Sequence, residues 1–258
     1  MIPNQLEFDV AAVTSLGDNV FVLRTMNQQI EVYDAVSCKL QRHITVHGLS
    51  DYSITYGLAA CAHNKCLYVS DWNNYIHRVK LRFGNATKKW SVGRDPRGLS
   101  VNKEHNVVVA CYGANKLQEY TTDGSLAREI CLQAGVTSPW HAVQLSSGDY
   151  VVSLYTSQGV VSVVGVDGQV RRSQTSDKAQ YAASLAVTKK DYILVADCGN
   201  NRILSVNCSL SSVQELALPV DGGIQCPWNL CLDELRGGLY VGEYGGSYRV
   251  LVFDNVIV

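Results

Sequence analysis

A β-hairpin pattern recurs along this chain at nearly constant spacing, and that recurrence restricts the fold more than any other feature. Its clearest copy is YILVADCGNNRILSV, from Tyr192 to Val206. It holds an apolar β-branched run, a Cys-Gly-Asn-Asn turn, and a returning apolar run with one arginine, the signature of two antiparallel strands. Six copies, this one included, align on Val22, Val69, Val109, Val152, Val195 and Val241, at intervals of 47, 40, 43, 43 and 46 residues. Each keeps an apolar residue on the returning strand, at Ile30, Ile76, Leu117, Val160, Ile203 and Val250. A lone hairpin is marginal in water and needs further strands beside it. The sequence supplies them: an apolar run before most hairpins (YGLAAC, RGLSV, WHAVQL, AASLAV, WNLCL) and a more polar one after (LQRHITV, KKWSV, LAREICL, QVRRSQT, VQELAL). Units of four strands at this period are β-propeller blades.

The expected fold is therefore all-β, a six-bladed β-propeller of four-stranded antiparallel blades, with residues 1–258 as a single domain. No window carries a 3.6-residue apolar stripe over three turns, so helix is not expected. The last unit stops after VIV, short of a full outer strand. Residues 2–8, around Leu6 and Phe8, are expected to supply that strand and close the ring through the last blade.

Hydrophobic residues make up 47% of the chain and its net charge is −1, which excludes a disordered or strongly polyelectrolyte protein. No apolar stretch reaches the length of a membrane span, so no membrane partner is expected. The N-terminal MIPNQLEFDV lacks the basic start and apolar core of a signal peptide, so a cytoplasmic location is expected. In that compartment the nine cysteines, scattered through apolar runs, are reduced core residues, with Cys61 and Cys66 the pair to test for a disulfide.

Two segments carry a family resemblance. Pro96-Arg97-Gly98-Leu99 and Val195 to Ile203 (VADCGNNRI) resemble the two halves of the NHL repeat, and Tyr68 to Val79 (YVSDWNNYIHRV) is a second close copy. The chain as a whole resembles the NHL propeller found at the C-terminus of TRIM proteins and in uncharacterised invertebrate NHL proteins. The resemblance implies an interaction domain, since in TRIM proteins the corresponding face binds single-stranded RNA motifs or partner proteins. Blades one and four depart from the pattern, with Arg24-Thr25-Met26-Asn27 and Leu154-Tyr155-Thr156-Ser157 at the turn. In the other copies Asp71, Asn74, Asp197, Gly199 and Asn200 read first as turn builders, because Asp and Asn bond nearby backbone and Asn and Gly tolerate positive φ.

Loops that enter the inner strands and loops inside the hairpins share one face of a propeller, around the channel mouth. The register puts Tyr56, Arg97, Trp140, His141, Tyr181 and Trp228 at the entries. The hairpin loops add Arg24, Trp72, Tyr112, Lys116, Tyr155, Arg202, Tyr244 and Arg249. Aromatics with arginines anchor protein interfaces, and they equally stack bases and pair with phosphates. A protein or peptide ligand is the leading expectation, with sequence-selective single-stranded RNA as the rival; arginines paired off with acids would remove the RNA reading. Exchange of Arg97 for Glu or of Trp228 for Ala is expected to weaken binding and spare the fold.

The third reading is a small-molecule hydrolase or lyase with an axial pocket, built from His141, Trp140, Tyr112 and Glu243. His141 and Asn229 fall near the axis, too few for a zinc or calcium set, and no G-x-S-x-G elbow or phosphate loop occurs. No catalytic residue, metal or cofactor is assigned on these grounds. A propeller without open edges has no built-in drive to oligomerise, so the isolated domain is expected to be monomeric.

Overall fold

The computed structural model describes residues 2, 8–49, 54–82, 87–157, 161–174 and 180–256. Five four-stranded antiparallel sheets and one three-stranded sheet follow one another along the chain. The inner strands are Val10–Leu16, Thr55–Cys61, Pro96–Val101, Pro139–Gln144, Ala182–Val187 and Pro227–Asp233. The second strands, from Asn19–Arg24 to Gly238–Glu243, are buried nearly throughout, as their continuous apolar runs require. Outer strands such as Leu126–Cys131 are mostly exposed, which explains their polar composition.

Alternation along each strand sends successive side chains to opposite neighbours. Phe21 and Leu23 of blade one pack with Leu58, Leu67 and Val69 of blade two. Val20 and Val22 instead pack with Tyr240 and Val250 of blade six. An apolar cluster of this kind fills every seam between neighbouring blades, so the core is a ring of interfaces.

The ring closes non-covalently. Ile2 forms an antiparallel bridge with Val250 on the outer side of the last sheet, donating its N–H to the Val250 carbonyl at 3.0 Å, and its side chain is buried. Residues 3–7 of the expected closing strand lie outside the described residues.

A polar device joins hairpin loops to the next blade. Asn74, Asn115 and Asn201 each adopt positive φ at the end of a loop. Their Oδ1 atoms accept the N–H of Asp95 at 2.8 Å, Ser138 at 3.0 Å and Cys226 at 2.7 Å, each the residue before the proline that opens the next inner strand. Asn74 thus does more than build its own turn.

Candidate functional site

An inner strand is paired on one side only; its other edge of N–H and C=O groups faces the channel and needs partners. Side chains of neighbouring blades supply them. Asn229 Oδ1 accepts the Val13 N–H at 2.8 Å, and Ser184 Oγ accepts that of Leu230 at 3.2 Å. Ser100 Oγ donates to the Ala142 carbonyl at 2.7 Å.

His141 links three blades. Its Nδ1 accepts the Leu185 N–H at 3.0 Å, which fixes the proton on Nε2, and Nε2 donates to the Leu99 carbonyl at 3.0 Å. Burial pushes its pKa down to about 4, against a smaller upward pull from the Leu99 carbonyl, so the ring is neutral at physiological pH. Gly98 makes room for it, since a Cβ there would lie 2.6 Å from His141 Cδ2. His141 and Asn229 are edge partners, with both nitrogens of the imidazole committed. A cavity of about 210 Å³ runs along the channel beside them, walled mainly by apolar residues such as Leu58, Val101, Val143 and Leu232.

Above this layer the mouth is filled by one connected aromatic cluster. Trp140, 9% exposed, stacks on Tyr155 with centroids 4.4 Å apart, and Trp228 stacks on Tyr244 at 4.6 Å. The two stacks meet edge to face, at 5.2 Å between Trp140 and Trp228. Tyr181 joins through Tyr155, and Tyr56 and Tyr112 through Trp140. Arg97 lies within this assembly, its guanidinium 3.9 Å from the Tyr56 ring centre and about 5 Å from those of Trp140 and Tyr112. Burial raises the Tyr155 phenol pKa, and the neighbouring hydroxyls of Tyr181, Tyr244 and Tyr112 add to the shift. The structure thus gathers seven of the residues proposed from sequence around Arg97; Trp72 stands apart from these rings, 55% exposed.

The cations lie differently from the sequence expectation of an open cationic face. Arg24 is 1% exposed and bonded to Glu31 at 2.8 Å, and its Nη1 also donates to the carbonyls of Phe8 and Tyr248. It clamps the seam between the first and last blades. Arg202 pairs with Asp197 at 2.8 Å, Arg249 with Glu243 at 2.7 Å, Lys116 with Glu129 at 2.8 Å and Arg97 with Asp95 at 3.1 Å. The position two residues after each aligned valine carries these pairs in blades one, two, five and six, with Asp71 bonded to His77 in blade two. His77 is therefore buried on a third strand. His63 and His105 lie on turns and stack at 4.0 Å. Among the described residues no three His, Cys, Asp or Glu side chains gather as a metal set.

The cysteine expectation needs correction too. Cys61 and Cys66 are free although they sit opposite each other across a tight turn. Cys198 and Cys226 are disulfide-bonded instead, tying a blade-five hairpin loop to the entry of blade six. The long sequence interval between them hid the pair, because only the ring brings that loop to the next entry.

Sequence reasoning also missed a pocket of about 260 Å³ beside Tyr244, walled by Phe8, Met26, Ile54 and Tyr248. The available signal was Met26, an apolar residue at the turn where other copies carry Asp, Gly and Asn.

Fold and site together define a six-bladed propeller with a closed aromatic mouth. No family model and no curated protein matches the chain. Solved structures do. A protein of unknown function from Bacteroides caccae superposes with a TM-score of 0.75 at 15% identity, over 92% of this chain and 90% of that one. Virginiamycin B lyase from Staphylococcus aureus gives 0.70 at 12% identity, over 98% and 87%. A chain of a nidogen/laminin complex gives 0.73 at 17% identity, over 92% and 89%. At these identities the likeness is one of fold.

Proposed function

We propose that this chain is a non-catalytic interaction domain of the NHL type, similar to the propellers of TRIM-NHL proteins, that binds a protein or peptide through its aromatic mouth as a monomer. The observation that carries the reading is the connected cluster of Tyr and Trp rings, part-exposed and held over Arg97. Rings already stacked and wedged have little rotamer entropy left to lose on binding. The nidogen/laminin complex is a precedent for a propeller of this shape in a protein assembly. Pairing of Arg24, Arg97, Lys116, Arg202 and Arg249 with carboxylates weighs against the RNA reading. The commitment of both His141 nitrogens to backbone weighs against a hydrolase or lyase.

Trp228 is the residue to change, because Arg97 is 9% exposed and its loss would dismantle the cluster. Trp228→Ala should weaken binding about thirtyfold, the effect of losing an anchor of about 2 kcal/mol, with the melting transition retained. Crosslinking pull-down from native extract, scoring protein and RNA separately for wild type and W228A, tests it. Protein recovery unchanged in W228A would move the interface elsewhere, and RNA recovery that falls steeply with salt would favour the rival reading.

The reading keeps the domain in the cytoplasm, in accord with seven cysteines left free. The Cys198–Cys226 bond weighs the other way, and the reading expects it to be reduced at steady state, since disulfides are rare in that compartment. Differential alkylation in cells checks this: thiols open to alkylation at both positions support the placement, and a fully blocked pair contradicts it.

A further inference from the structure

The mouth carries polar groups without partners. The hydroxyls of Tyr112, Tyr155, Tyr181 and Tyr244 and the indole N–H of Trp228 have no bonding partner among the described residues. The carboxylates around them each hold at least one partner. Asp95 pairs with Arg97, Asp197 takes Arg202 and the Gln180 N–H, and Glu243 takes Arg249 and the Gln225 N–H. Asp9 accepts the N–H groups of Gly245 and Gly246. The surface therefore offers flat rings and unpartnered donors, with both oxygens of Asp197 and Glu243 committed and one oxygen each of Asp9 and Asp95 left over. Its ring faces around Tyr56, Tyr112 and Trp140 already hold a cation in Arg97, so a cationic ligand gains nothing there.

A ligand that fits brings acceptors to these donors and flat, apolar groups to the rings. Resting on the peptide-binding reading above, we infer that the mouth recognises a proline-rich segment in the polyproline II conformation. Prolines have no N–H, their rings pack on aromatic faces, and the carbonyls of this helix have no internal partner. Tyrosine hydroxyls and the Trp228 indole meet those carbonyls. The adjoining pocket of about 260 Å³, between Phe8, Met26 and Tyr244, takes an apolar anchor residue flanking the prolines.

The test is selection of an unbiased displayed dodecapeptide library on the immobilised wild-type chain, followed by binding of the enriched peptides to Y155F, Y244F, M26D and W228A, each first shown to melt as wild type does. The inference expects proline-rich peptides with one apolar flank, bound about tenfold more weakly by each of the Y155F, Y244F and M26D proteins. Enriched peptides without proline that still lose binding to W228A overturn the inference and leave the mouth as the binding site. Enriched peptides indifferent to W228A, or no enrichment at all, overturn both. A glycan array bound by wild type and not by W228A would replace the peptide with an oligosaccharide.

Discussion

Glu31→Ala is expected to lower the unfolding free energy by about 3–5 kcal/mol, the usual cost of removing one partner from a buried ion pair. Glu31 accepts the Arg24 Nε–H at 2.8 Å and the Tyr33 hydroxyl at 2.9 Å, and both side chains of the ion pair are almost wholly buried. Without the carboxylate a guanidinium stays enclosed at the seam where the ring closes, and Tyr33, its phenol pushed up to about 12 by burial and then by Glu31, loses its acceptor. The double variant R24M/E31M should recover part of the loss. It should not recover all, since the carbonyls of Phe8 and Tyr248 then lack their donor. Urea unfolding followed by circular dichroism measures both; a loss under about 1 kcal/mol for E31A would mean that water reaches Arg24 and that the seam is not dry.

His141 should make the fold acid-sensitive well above the range of its carboxylates. In the unfolded chain a histidine takes up a proton near pH 6.5, whereas the native ring, starved of solvent, resists protonation until about pH 4. Between those values the unfolded state binds more protons, so native stability falls as pH falls. The loss reaches about 3 kcal/mol at the acid end of the window, at about 1.4 kcal/mol per pH unit. Denaturation midpoints from pH 7 to 4 should show this slope in wild type. In His141→Phe the slope should be absent, although that variant starts lower because the Leu185 N–H and Leu99 carbonyl lose their partner. An equal slope in the two proteins would contradict a buried neutral imidazole.

The blades were legible in the sequence because strand period and turn chemistry are local: the valine-aligned register places the inner, second and third strands where the structure has them, apart from the blade-four third-strand position Val160, which lies outside the described residues. The aromatic mouth was legible for the same reason, since each of its residues sits at a fixed place in the repeat. What escaped were relations across seams. Arg24 is in register with Asp71, Asp197 and Glu243 and is buried as they are, but its bonds to the Phe8 and Tyr248 carbonyls at the seam between the first and last blades follow only from the closed ring. His141 looked like a potential site residue because an imidazole on an axis has that chemistry; that both nitrogens serve the edges of neighbouring strands follows only from the closed ring. The Cys198–Cys226 bond and the pocket under Met26 likewise join segments distant in the chain.

The division between a scaffold of committed polar groups in the channel and an aromatic surface proposed to take a ligand is open to one direct measurement. Hydrogen–deuterium exchange of the chain with and without a library-selected peptide should show protection in the mouth loops 112–115, 154–157 and 244–249. The far-side turns at 62–65 and 102–106 should be unchanged. Protection centred on those far-side turns, with the mouth loops exchanging as in the free protein, would contradict the account.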